Sequence, residues 1–166
     1  MTTAVHVNTQ TYSTTHVAVN LVRGLKQLIT GCGMDASKLL GCWRTVELGV
    51  ATWLRYSQLE RLTLEVYDPN TNVLVTRFDF DIDHGYYPGG DGELWLDPET
   101  VAYAIRKAGA VPSKCSYDIF ARTTPGSVKV DGWGAGTLRS TSGLRRRGVG
   151  ATVGGGSLGA TLNYWS

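Results

Sequence analysis

Three observations predict an α+β fold. Apolar residues recur at helical spacing across the first third of the chain, then alternate with polar ones over residues 62–83. A capped helix at Asp97 is followed only by short strand-like runs. The order is helix, helix, strand, strand, helix, strand, strand, tail, which argues for helices on an antiparallel sheet rather than a doubly wound parallel one. At 166 residues and 42% hydrophobic composition the chain can bury the core of one domain.

The first helix is expected over about Ser13 to Thr30, with Val17, Leu21, Leu25, Leu28 and Ile29 on one face. Ser13 or Thr14 caps its start, and Gly31-Cys32-Gly33 ends it. From about Asp35 a second helix carries the stripe Leu39, Trp43, Val46, Val50 and Trp53 or Leu54. The period then falls to two. Leu62, Leu64 and Val66 alternate with Thr63, Glu65 and Tyr67, Asp68 to Asn72 supplies a turn, and Leu74 to Asp83 returns as the second arm of a hairpin. Tyr86 to Gly92 reads as a loop, with a short strand at Glu93 to Leu96. Asp97-Pro98-Glu99 starts a helix whose buried face is Val101, Ala104, Ile105 and Ala108. Lys114 to Thr124 is a strand, and Val128 to Trp133 a short one leading into the tail.

Composition changes at Asp131. Residues up to that point carry all 14 acidic groups, while the remainder carries Arg139, Arg145, Arg146 and Arg147 unopposed, with ten of the 21 glycines. A glycine linker normally lacks large apolar side chains. This tail holds Leu138, Leu144, Val149, Val153, Leu158, Leu162, Tyr164 and Trp165, so it is built to be buried. Its strand-like stretches surround Ala151 to Val153 and Ala160 to Trp165, and its plainest reading is a C-terminal hairpin completing the sheet.

No motif points to catalysis. Asp79, Asp81, Asp83 and His84 suggest a metal site, but the glycine and glutamate of an EF-hand are missing. The solvated face of a hairpin strand accounts for the three carboxylates better. Gly148 to Gly154 lacks the strand, helix and lysine of a nucleotide loop. Cys32, Cys42 and Cys115 form no zinc or disulfide pattern, which suits a reducing cytoplasm. Met1 to Gln10 has no signal-peptide pattern, and no apolar run approaches a membrane span. Arg145-Arg146-Arg147 reads first as a solvated turn, second as a docking point for an acidic protein, and third, with Arg139, as a nucleic-acid contact. No cofactor or metal is expected.

The order of several segments resembles the bacterial HORMA-domain proteins of CBASS anti-phage operons. The carriers are Leu64-Glu65-Val66-Tyr67-Asp68-Pro69, Leu74 to Asp79 with the aspartates after it, Tyr103 to Gly109, Thr124-Pro125-Gly126, Gly132-Trp133 and Tyr164-Trp165. The resemblance implies three helices on an antiparallel sheet, with a core over residues 13–132, a mobile C-terminal safety belt over 133–166 and a flexible segment over 1–12. The belt of such proteins wraps a short extended peptide, the closure motif. In the closed state they bind and activate a CD-NTase that makes a cyclic oligonucleotide, and a AAA+ ATPase reopens them.

On that resemblance the peptide contacts are expected among Val101 and Ile105, Tyr117, Ile119 and Ala121, and the tail residues Trp133, Leu138, Val153, Leu162, Tyr164 and Trp165. Thr2, Thr3, Val5 and His6 would be the handle for the remodelling ATPase. The protein would be a cytoplasmic, non-enzymatic switch without membrane or direct nucleic-acid partners. Deleting residues 134–166 is expected to abolish peptide binding and leave a folded body.

Overall fold

The computed structural model describes residues 2–85 and 93–166, so the expected loop Tyr86 to Gly92 lies outside the described residues. The elements are α1 (Thr2–Gly31), α2 (Ser37–Gly41), α3 (Trp43–Arg55), β1 (Leu59–Asp68), β2 (Val73–Asp83), β3 (Trp95–Leu96), α4 (Pro98–Ala108), β4 (Ser116–Thr123), β5 (Arg146–Gly155) and β6 (Leu158–Trp165). The strands form one antiparallel sheet in the order β3-β5-β6-β2-β1-β4.

Helix α1 begins at Thr2, well before the expected start at Ser13. The sequence has neither proline nor glycine from Thr2 to Arg23, so nothing stops the helix from running back past Ser13. Its face of Val17, Leu21, Leu25, Leu28 and Ile29 is fully buried. Gly33, at φ +87°, ends the path of α1 as the glycine cluster predicts. The expected second helix is two. Cys42 at φ −124° leaves the helical region and separates α2 from α3. The Asp97 cap holds, its carboxylate accepting from the Glu99 N–H at 3.0 Å.

The β1–β2 hairpin has the predicted alternation, with Leu62 opposite Phe80 and Leu64 opposite Phe78. Its polar side differs from expectation. β2 is an interior strand between β6 and β1, and Asp79 is fully buried rather than solvated. The Asp79 carboxylate accepts from Arg77 Nε at 2.8 Å, from the Thr63 hydroxyl at 2.7 Å and from the Trp165 indole at 3.0 Å. Asp81 in turn is held by Arg61, Arg146 and Asn163. Buried charge of this kind survives only when paired and hydrogen-bonded.

The tail forms the hairpin β5–β6. β6 lies against β2, pairing Phe80 with Leu162 and Phe78 with Tyr164. Val153, Ala160, Leu162 and Tyr164 are core residues beneath α1 and α4. The expected short strand at 128–133 does not form: the Val128 main chain bonds to the Trp53 and Gln58 side chains, and the main-chain N–H of Trp133 turns back to the Val130 carbonyl.

Candidate functional site: a strap across an open strand edge

β4 is the outermost strand on its side of the sheet. One edge pairs with β1, and no described strand lies on the other. The ammonium of Lys38, from α2, donates to the Tyr117 carbonyl at 2.5 Å. That carbonyl therefore points away from β1. Because main-chain groups alternate in direction along a strand, Tyr117, Ile119 and Ala121 present their N–H and C=O groups to the open edge. Tyr117 also seals α2, its hydroxyl accepting from the Leu39 N–H at 3.1 Å.

The chain leaves β4 through Thr124 to Ser127, a turn in which Gly126 takes φ +73° and the Ser127 N–H bonds to the Thr124 carbonyl. It then crosses the open edge as a strap without regular structure. Two residues of the body clamp Val128: Gln58 accepts from its N–H at 3.1 Å, and the Trp53 indole donates to its carbonyl at 2.7 Å. Trp133 lies on α3, donating to the Thr45 carbonyl at 2.9 Å, with its ring 5.0 Å from that of Trp53 in an edge-on arrangement. Farther on, Gly136 passes so close to Phe120 that a Cβ would lie 2.9 Å from the ring.

Arg139 is the next anchor. Its main-chain N–H donates to Glu65 Oε2 at 2.9 Å and its Nη1 to Oε1 at 3.0 Å. Nη2 reaches Asp118 at 3.0 Å and Nε reaches Asn72 at 2.9 Å. The guanidinium carbon lies 3.4 Å from the Tyr67 ring centre. Glu65 is fully buried. Partial burial would raise the Asp118 carboxyl, but hydrogen bonds and charge from Lys38 and Arg139 outweigh it and hold it below the usual carboxylate range.

Between strap and sheet lies a cleft of about 1130 Å³. Leu39, Val46 and Trp53 line it from the helices, Ile119 and Ala121 from β4, and Trp133 from the strap. Its shape follows from a strand edge that no described strand covers, an apolar helical wall and a glycine-rich cover.

Of the expected contact residues, Tyr117, Ile119, Ala121 and Trp133 are brought together here. Val101 and Ile105 border a separate depression beside Gln27 and Thr30, because α4 packs on α1 and the C-terminal hairpin, away from β4. Val153, Leu162 and Tyr164 are consumed by the core, Trp165 by Asp79, and Leu138 is exposed on the strap. Thr2, Thr3, Val5 and His6 fall in the first turns of α1. The tail arginines do not form one basic patch, since Arg139 pairs with Glu65 and Arg146 with Asp81. The His84 Nε2–H donates to the Leu59 carbonyl at 2.8 Å, and the Cys32 thiol is pushed up to about 11 by burial. Sequence reading missed Trp53, Gln58, Lys38 and the Glu65–Arg139 pair. Each looks like an ordinary core, turn or surface residue until the fold joins it to a partner far along the chain.

An α+β domain whose C-terminal segment straps the open edge of its own sheet has the HORMA architecture. The chain belongs to the family described as Bacterial HORMA domain 2, whose model matches residues 1–166. Solved structures share the fold at low identity. A chain of the Mitotic Checkpoint Complex superimposes with a TM-score of 0.60 at 9% identity, over 77% of this chain and 72% of that one. C. elegans HTP-2 bound to the HIM-3 closure motif gives 0.56 at 13%, over 80% and 71%. The E. coli MS115-1 CdnC:HORMA-deltaN complex gives 0.55 at 15%, over 92% and 86%. No curated protein matches the sequence. Among the described residues no helix is long and apolar enough to cross a membrane.

Proposed function

We propose that this protein binds an extended peptide as an added strand on the open edge of β4, beneath the strap, and works as a switch rather than an enzyme. The observation that carries this reading is the cleft itself. It offers outward main-chain groups at Tyr117, Ile119 and Ala121 on one side and a removable cover on the other. Strand addition supplies affinity through main-chain bonds and specificity through side-chain pockets. Support also comes from the solved relatives, since HTP-2 is bound to a closure motif and the E. coli protein is in a complex with CdnC.

The moving belt in this reading is residues 133–166, with 124–132 as a fixed root because Val128 is clamped by Gln58 and Trp53. The closed, peptide-bound form docks on and activates a CD-NTase in anti-phage signalling in the cytoplasm. A AAA+ ATPase resets it by engaging residues 1–12, with Thr2, Thr3, Val5 and His6 as the grip. Direct contact with nucleic acid is not part of the mechanism.

The test uses the full chain on an array of random synthetic twelve-residue peptides. Specific, saturable binding of a subset is expected. Ala121→Pro deletes an N–H that faces the open edge and spares the β1 ladder, so the variant should fold and bind about tenfold more weakly or worse. An array with no peptide above background, or full binding by Ala121→Pro, removes the proposal.

A further inference from the structure

We infer that Arg139 is the bolt that holds the strap over the cleft, and that a guest strand leaves only after its guanidinium leaves Glu65. Between Trp133 and Arg139 the strap is exposed over residues 134–138, its close approach to the body being Gly136 over Phe120. A Cβ at Gly134 would meet nothing within 4 Å. Arg139 ends that loose span with contacts to three separate parts of the body. Glu65 and Tyr67 belong to β1, Asp118 to β4, and Asn72 to the β1–β2 turn. Its donors meet acceptors on three sides while the ring of Tyr67 covers one face.

The partner is matched to this role. Glu65 is fully buried, and both of its oxygens are taken by Arg139, one by the main chain and one by the side chain. Swinging the strap away would take from this carboxylate its ion pair, while Arg77, opposite it on β2, is engaged by Asp79. A buried charge losing its ion-pair partner is among the costlier events in a protein interior, and in complexes it appears in the dissociation rate. Asp118 adds a link to the cleft. One of its oxygens binds Arg139 and the other binds Lys38, the residue that sits on the outward carbonyl of Tyr117. Arg139 is thus a positioning residue: it need not touch the guest to set how long the guest stays.

The guest half of this inference rests on the peptide-binding reading above; the strap half does not. The experiment compares wild type with R139A, R139K and the neutral pair E65Q/R139Q. Amide hydrogen exchange of residues 134–145 is followed without guest. Association and dissociation rates are measured for the tightest peptide from the random array. In R139A, exchange should accelerate at least about tenfold and dissociation roughly 30-fold, with association changed far less. R139K, which keeps charge and loses the fork, should fall between. If R139A does not fold, E65Q/R139Q leaves no stranded charge and should show the same direction. Exchange within twofold of wild type in the folded variants overturns the bolt. Faster exchange with unchanged dissociation overturns its control of release. If no peptide binds, the functional reading falls and exchange alone decides the bolt.

Discussion

The indole of Trp133 occupies the space that a Cβ on Gly49 would fill. Gly49 is buried in the middle of α3, where glycine costs about 1 kcal/mol relative to alanine. The close approach explains its presence. It lets the strap lie flat on the helix, with the Trp133 N–H reaching the Thr45 carbonyl and its ring meeting Trp53.

Gly49→Ala should therefore fail to stabilise the helix. The added methyl forces Trp133 outward, and overpacking of this kind costs about 1–3 kcal/mol. Gly41, at the end of α2, is the control, because a Cβ there meets nothing within 4 Å. Urea unfolding should show a lowered midpoint for G49A and an unchanged or raised one for G41A. Equal midpoints for the two variants would refute the close-packing account.

Asp79→Ala removes the fully buried acceptor shared by Arg77, Thr63 and the Trp165 indole on one face of the sheet. Leaving the nearly buried Arg77 without its carboxylate should cost about 3–5 kcal/mol. Asp79→Asn keeps the shape and loses the charge, so it should fall short of that loss. Thermal and chemical denaturation distinguish the three proteins; an alanine variant as stable as wild type would contradict the assigned pairing.

Acid should loosen the strap through Asp118. Its carboxyl is held below the ordinary value in the folded state, so folding gains from its ionised form above the unfolded value of 3.8. That gain is lost as pH falls through the depressed folded value. In Asp118→Asn, amide exchange of residues 134–145 should already be faster at neutral pH and respond less to acid below about pH 4. Parallel acid responses in the two proteins would rule out this contribution.

Deletion of residues 134–166 should unfold the body, contrary to what the sequence suggests. The deletion removes β5 and β6, and with them the partner of β2 and the buried Val153, Ala160, Leu162 and Tyr164. Far-UV circular dichroism and gel filtration are expected to report an expanded, aggregating chain. A compact, cooperatively melting fragment would mean that the two body faces can close without the hairpin.

Local signals were readable and distant ones were not. The Leu62/Leu64/Val66 alternation, the Asp97-Pro98 start and the apolar tail each announce an element through neighbours a few residues away. Glu65 and Asp79 show the limit. In a strand of period two they look like a wet face, and only Arg139 and Trp165, far along the chain, make that face dry. The site divides in the same way. Tyr117, Ile119 and Ala121 follow from strand alternation. Trp53 sits in a helical stripe that reads as core, and nothing near Gln58 or Lys38 hints that one ties down Val128 and the other the Tyr117 carbonyl.

The register that sets Arg77 opposite Trp165 and Asp83 opposite Gly159 has a consequence for synthesis. As the ribosome extends the chain, β2 emerges beside β1 but long before β6, which will cover its other edge. Until 158–165 are made, a nascent domain carries a bare row of amides and carbonyls through what becomes the middle of its sheet. Such an edge invites pairing with neighbouring nascent chains, so slow translation of the glycine-rich stretch would raise the risk of aggregation before the domain is complete.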